Sequence, residues 1–267
     1  MAFKSFIHPP YLKKGDTIGI VCPAGFMSLE RVQTCIKVLH QWGYKVKLGK
    51  TVGNQFHYFS GTDVERLNDL QSMLDDASVK AILCGRGGYG TSRIIDEIDW
   101  KAFKKNPKWI IGFSDITVLH SFLFTKLKTA SLHAPMAAAF NNDARPDDPV
   151  EQEYRNPYVQ SLKNALAGNP AHYKTAGSEF NRKGIAEGQL VGGNLSLLVH
   201  QIGTASDINT KGKILFLEDL SEYLYHIDRM MVQLKRSRKL NGLAGLIIGG
   251  FTDLKDTTTP FGKTVEE

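Results

Sequence analysis

Apolar residues in this chain fall into short unbroken runs that alternate with longer stretches where they recur every third or fourth position. The first run, DTIGIVC at residues 16–22, is rich in β-branched side chains and ends on Pro23-Ala24-Gly25, the pattern of a buried strand running into a turn. Ser28 then opens LERVQTCIKVLHQWG, with Leu29, Val32, Ile36 and Leu39 at helical spacing, until Gly43 stops it. The cycle repeats. YKVKLG reads as a strand, and DVERLNDLQSMLDD, opened by Thr62, as a helix with Val64, Leu67, Leu70 and Leu74 on one face. VKAILC at 79–84 is a third strand, followed by a glycine cluster and a short helix around 93–98; KWIIG and DITVLHSFLFTKL are a fourth strand and helix. Four such alternations predict an α/β fold, a parallel sheet flanked by helices.

Beyond this the texture changes. Residues 141–182, including NNDARPDDPVEQEYRNP, are polar and proline-bearing, with one short helix near 158–167; they read as a linker or crossover. GQLVGGNLSLLVHQIG, KILFLEDLSEYLYHIDRMMVQL and LAGLIIGGF then supply a second, smaller α/β unit. The expected division is residues 1–140, a linker at 141–182, and 183–267. Thr264 and Glu267 match the T-x-x-E capping box that opens a helix. One turn is not stable alone, so the chain is expected to continue past Glu267.

Composition narrows the function. With 42% hydrophobic and 22% charged residues and 25 glycines among 267, the chain is an ordinary globular protein rich in turns. Its net charge of +6 would suit an anionic partner, yet the only basic cluster, Lys235-Arg236-Ser237-Arg238-Lys239, sits at a predicted helix end, where cations complement the helix dipole. No aromatic residues interleave with it, so no nucleic-acid partner is expected. Cys22, Cys35 and Cys84 have no C-x-x-C spacing and read as reduced thiols. No apolar run has the length of a signal peptide or a membrane span. The expected location is the cytoplasm, without membrane association.

Three turns carry candidate chemistry. Gly85-Arg86-Gly87-Gly88-Tyr89-Gly90 fits G-x-G-x-x-G directly after a strand, but the acidic residue that a dinucleotide site wants about twenty positions on is replaced by Lys105-Asn106-Pro107-Lys108-Trp109. A P-loop is excluded because Thr91-Ser92 follows without lysine. What remains is a loop of exposed backbone N–H groups suited to a developing anion, with a nucleotide-binding module as the alternative. Ser114, at the strand-to-helix corner Gly112-Phe113-Ser114-Asp115, is either a helix N-cap or a nucleophile of the α/β-hydrolase kind. Glu218 and Asp219 end the run KILFLED at the carboxyl edge where parallel sheets place ligands. Glu218 could orient a histidine, and Asp219 could equally complement a helix dipole. Asn194, in Gly192-Gly193-Asn194, has the position of a helix cap. His120 and His226 fall within helices, which leaves His133 as the best internal base. No histidine pair has ligand spacing, so neither metal nor cofactor is expected.

Taken together, LKKGDTIGIVCPAG, RGGYGTSRIIDEID, NPKWIIGFSDIT, GQLVGGNLSLL, LFLEDLSEYLYHIDRMMVQL and GLIIGGFTD resemble, in order and wording, the muropeptide LD-carboxypeptidase family of serine peptidases, which also holds the microcin-immunity hydrolases. The resemblance implies an N-terminal nucleophile domain, a smaller C-terminal domain, and a Ser-Glu-His triad with Ser114 as nucleophile and Glu218 orienting the imidazole. It places the oxyanion hole at the N–H of Asp115 and at the Gly87-Gly88 loop, and Arg86 and Asn194 at the substrate. The implied reaction releases terminal D-alanine from a murein tetrapeptide during cell-wall recycling; hydrolysis of a peptide-nucleotide antibiotic is the alternative. The partner is then a small peptide, and a homodimer is left open. The family's histidine belongs to a late Gly-His motif that residues 1–267 do not contain. It is expected beyond Glu267, and this stretch by itself would lack the base. Ala134 also departs from the family's usual glycine before proline.

Overall fold

The computed structural model describes residues 6–141 and 157–267. The polar segment 142–156, expected to form part of the crossover, lies outside the described residues. The chain divides into two compact units, Met1–His172 and Tyr173–Glu267.

The first unit is built on five parallel strands in the order β2-β1-β3-β4-β5. In chain order its elements are β1 (Thr17–Val21), α1 (Gln33–Gln41), β2 (Lys45–Leu48), α2 (Asp63–Asp75), β3 (Val79–Cys84), α3 (Lys101–Lys105), β4 (Trp109–Gly112), α4 (Thr117–Phe122), β5 (Leu132–His133) and α5 (Pro157–Leu166). Alternate strand residues Ile18, Ile20, Leu83 and Ile111 pack with Val32 and Leu39 in one buried cluster, each full burial contributing about 1.5–3 kcal/mol. The chain direction reverses between β1 and β3. Ligands of open parallel sheets bind at that switch point, outside the carboxyl ends of the strands.

Helix α2 departs from its expected stripe. Thr62 opens it with a capping box, its Oγ1 accepting from Glu65 N and its N–H donating to the Glu65 carboxylate. Val64, however, is exposed, while Arg66 and Asp69 are buried beside Leu70, Met73 and Leu74. The inward polar groups are satisfied by loops at the carboxyl edge of the sheet. Asp69 accepts from Lys50 N (2.9 Å), Thr51 N (2.8 Å) and Thr51 Oγ1 (2.5 Å). The helix expected at 93–98 is instead two 3-10 turns, Thr91–Arg93 and Ile95–Glu97. Six residues carrying adjacent β-branched isoleucines do not sustain an α-helical nucleus, and Arg93 is drawn out to a salt bridge with Asp63. Helix α1 likewise follows a 3-10 turn, Glu30–Val32, with no side-chain cap.

The second unit is a three-stranded parallel sheet, β6-β7-β8, formed by β6 (Leu190–Asn194), β7 (Ile214–Leu220) and β8 (Gly245–Thr252). Helices α6 (Leu195–His200) and α7 (Leu224–Arg236) connect the strands. The basic cluster closes α7, and Lys239 turns back to pair with Asp207 at 2.5 Å. Thr264 and Glu267 exchange the two bonds of a capping box. All three cysteines are buried free thiols, and burial pushes Cys22 up to about 12 and Cys35 and Cys84 further; such thiols are inert. Among the described residues no helix is long and apolar enough to cross a membrane.

Strand β6 reaches β7 through a glycine that nothing else could replace. Gly192 has φ +133°, and a β-carbon there would lie 1.9 Å from the Phe216 carbonyl oxygen. Gly192→Ala is therefore expected to lower the melting temperature of the second unit by 10 °C or more, corresponding to roughly 3 kcal/mol. Gly177→Ala, where a β-carbon meets nothing within 4 Å, should leave it unchanged. Calorimetry on both variants checks the contrast.

Candidate active site

Strand β4 is buried along its whole length and delivers the chain to a sharp corner. Phe113 is extended (φ −151°, ψ −173°) and Ser114 takes φ +60°; a 3-10 turn, Ser114–Ile116, then leads into α4. A serine in the left-handed region costs about 1–3 kcal/mol, the strand–turn–helix strain of a nucleophile elbow. Ser114 does not cap this helix. The residues at the cap positions, Phe113 and Ile116, also make no side-chain cap bond.

The glycine loop after β3 comes up against this serine. A β-carbon on Gly87 would stand 3.0 Å from Ser114 Cβ and 3.2 Å from Ser114 Oγ, so any larger residue would press on the serine. The Gly87 carbonyl accepts from Gly25 N at 3.0 Å. Because the peptide is planar and trans, this bond turns the Gly88 N–H the opposite way. Asp115 N–H lies in the first turn of a helical segment, where amides have no intrahelical acceptor. Its carboxylate is buried, accepts from Thr91 N at 2.8 Å, and is pushed above the usual carboxylate range by burial. Arg86 is exposed and donates to the Phe26 carbonyl at 3.0 Å. The Tyr58 hydroxyl packs on Gly88, 2.7 Å from where its β-carbon would be.

The histidines nearby serve the corner itself. His120 is buried, with Nε2 2.9 Å from the Gly112 carbonyl and Nδ1 2.8 Å from Ser131 Oγ. A carbonyl can only accept, so Nε2 carries the proton and Nδ1 accepts from the serine hydroxyl. Burial lowers its pKa to about 4, so the ring is neutral and both nitrogens are committed. His133 is exposed at the end of β5, its ring 6.0 Å from that of Phe113 and 6.2 Å from that of His120.

In the second unit, β6 and β7 place Asn194 opposite Glu218 at their carboxyl ends. The β7–β8 register slips between Leu217 and Asp219, and such an irregularity re-aims the side chain between them. Asn194, expected to touch substrate, is buried and committed on both sides. Its Oδ1 accepts from Leu197 N (3.2 Å) and Ser196 Oγ (2.7 Å), and its Nδ2 donates to Asp219 Oδ1 (2.8 Å). It is the N-cap of α6. Asp219 also accepts from Ser196 N (3.0 Å) and Leu220 N (2.9 Å). Glu218 is half-buried, and burial, reinforced by the Asp219 charge, pushes it up to about 7. His226, in the first turn of α7, hydrogen-bonds through Nδ1 to the Glu222 carboxylate just before the helix. Among the described residues no group of three or more His, Cys, Asp or Glu could hold a metal ion.

Two neighbours of the corner, Arg66 and Tyr58, escaped the sequence reading. Arg66 lies among the charged positions of α2, and Tyr58 in a loop without a motif.

A half-buried serine at a strained strand–helix corner, faced by a glycine loop, describes a serine hydrolase. Comparison with known proteins makes the class specific. Residues 18–134 match the model of the LD-carboxypeptidase N-terminal domain and residues 187–267 that of the C-terminal domain. The chain is 41% identical over 253 residues to the "Probable murein peptide carboxypeptidase" of Bacillus subtilis (strain 168), covering 91% of this chain and 74% of that protein. It is 32% identical over 238 residues to the "Murein tetrapeptide carboxypeptidase" of Pseudomonas aeruginosa, covering 88% and 76%. The crystal structure of muramoyltetrapeptide carboxypeptidase from Oxalobacter formigenes superposes with a TM-score of 0.79 at 26% identity, covering 93% of this chain and 81% of that one. The chain belongs to the LD-carboxypeptidase family of serine peptidases.

The raised Glu218 pKa makes a test of its surroundings. An acid that titrates near 7 in the folded state and near 4.5 unfolded holds its proton more tightly when folded, so stability falls as pH rises from about 4.5 to about 7 and is level on either side. Glu218→Gln removes that titration. The melting temperature of the variant minus that of wild type should grow across this window and stay constant outside it. Calorimetry at half-unit pH steps measures it, and a flat difference contradicts the assignment.

Proposed function

We propose that this protein removes the terminal D-alanine from murein tetrapeptides by hydrolysing an L,D peptide bond, with Ser114 as nucleophile. The observation that carries this reading is the φ +60° corner at Ser114, with Gly87 packed against its hydroxyl. The names of the relatives from Bacillus, Pseudomonas and Oxalobacter support the substrate class.

In this reading Ser114 Oγ attacks the carbonyl carbon of the scissile bond while its proton passes to an imidazole. The negative charge that develops on the carbonyl oxygen is received by the Asp115 N–H and an N–H of the Gly87-Gly88 loop. The tetrahedral species collapses as the protonated imidazole gives its proton to the leaving nitrogen, and D-alanine departs. Water, deprotonated by the same imidazole, then releases the acyl group from Ser114. Glu218 holds the imidazole in orientation, which it does as a carboxylate. His120 is committed to Gly112 and Ser131 and does not serve as this imidazole. Arg86, exposed beside the glycine loop, is suited to the substrate's terminal carboxylate. The role given to Asn194 is to hold the strand edge under Glu218. Three free, buried thiols fit a reducing compartment, and the proposed setting is cytoplasmic recycling of cell-wall peptides.

Ser114→Ala should reduce turnover of a murein tetrapeptide by on the order of 10⁴-fold or more, without change in circular dichroism. Retained turnover would remove Ser114 from the mechanism. Gly87→Ala, which sets a methyl group 3.2 Å from the nucleophilic oxygen, is expected to lower kcat by on the order of 10²-fold. Steady-state kinetics on released D-alanine distinguish the two effects.

A further inference from the structure

Besides the bond from Gly25 N to the Gly87 carbonyl, the glycine loop facing Ser114 is gripped on both sides of one peptide group. The Gly90 carbonyl accepts from Arg66 Nη1 at 2.9 Å. On the other side of the same planar unit, the Thr91 N–H donates to Asp115 Oδ2 at 2.8 Å. Both gripping side chains are fully buried. The same guanidinium reaches the Pro23 carbonyl (2.5 Å) and the Gly61 carbonyl (3.3 Å), pairs with Asp63, and lies 4.9 Å over the Phe59 ring. Asp115 is the residue next to the nucleophile.

Burying a carboxylate and a guanidinium costs more than burying an apolar pair of similar volume, and such groups are weak evidence for stability. What they supply here is orientation. A planar peptide bonded at both its C=O and its N–H cannot rotate without losing a charge-assisted bond at each end. We propose that Arg66 and Asp115 are positioning residues for the reaction: by gripping the Gly90–Thr91 peptide from both sides they fix where the Gly87 and Gly88 amides stand relative to Ser114. The inference rests on the proposed oxyanion role of that loop. Arg66 anchors it to α2 and to the turn after β1, and Asp115 anchors it to the corner that carries the nucleophile. A misplacement of about 1 Å at such a site costs on the order of 10²-fold in rate.

The test uses a murein tetrapeptide as substrate and protein labelled with ¹⁵N-glycine. Asp115→Ala and Arg66→Lys are expected to lower kcat on the order of 10²-fold with KM within about twofold of wild type. The lysine keeps the charge and loses the fork. Asp115→Asn, whose side-chain oxygen still accepts from Thr91 N–H, should recover kcat to within about tenfold of wild type. ¹⁵N relaxation should show the Gly87 and Gly88 amides losing order in the alanine and lysine variants and keeping it in the asparagine variant. Wild-type kcat and wild-type glycine order in Asp115→Ala and Arg66→Lys would overturn the proposal, as would a loss confined to KM or an asparagine variant as slow as alanine. If wild type itself does not turn over the peptide, the functional reading fails, and the glycine order parameters alone decide the positioning claim. Asp115→Ser replaces Asp115→Ala where alanine prevents folding.

Discussion

The constraint on which the first unit turns is the left-handed backbone at Ser114. An L-residue stays at φ +60° only when its surroundings over-determine it, and here they do. The carbonyl of Gly112, two residues earlier, is held by His120 Nε2 and by Ala134 N. The next residue, Asp115, is locked to Thr91, and Ile116 is fully buried. Relaxing the serine would release all of these at once. The strain therefore lasts, and its product is a half-buried hydroxyl held against the glycine loop.

The two units solve the problem of presenting polar groups at a sheet edge in different ways. In the first, backbone geometry does it, through a corner and a glycine turn at the carboxyl ends of β4 and β3. In the second, side chains do it. Asn194 and Asp219 satisfy each other and the start of α6, leaving Glu218 at a register slip with its charge disfavoured by burial and by its acidic neighbour. Membership of the LD-carboxypeptidase family, matched separately over residues 18–134 and 187–267, gives each unit its counterpart in known proteins.

Much of this was legible in the sequence. The β-branched runs marked β1, β3 and β4 because fully buried parallel strands need continuous apolar residues, and the turns that follow them carried the candidate chemistry. The choice at Ser114 stayed open because a serine before an amphipathic helix reads equally as a cap; the φ angle that separates the two is set by residues from α4 and β5, far from the corner's own pattern. Arg66 was invisible for a related reason. On a helix net it belongs to a charged surface, and carbonyls from positions 23, 61 and 90 together with the Asp63 carboxylate make its burial tolerable. Val64 took the place it vacated and faces water. Asn194 shows the converse, a residue whose capping role was readable from Gly192-Gly193-Asn194 and whose expected contact with substrate came from resemblance alone.

The convergence of three loop carbonyls on one guanidinium bears on how such a protein can diversify. Segments at 23, 61 and 90 share a donor of fixed planar shape, so lengthening any one of them would drag the other two out of reach. Change in what the molecule accepts is thereby steered away from loop insertions at these points. It falls instead on exposed side chains of these loops, such as Arg86 and Tyr58, which make no bond to the guanidinium.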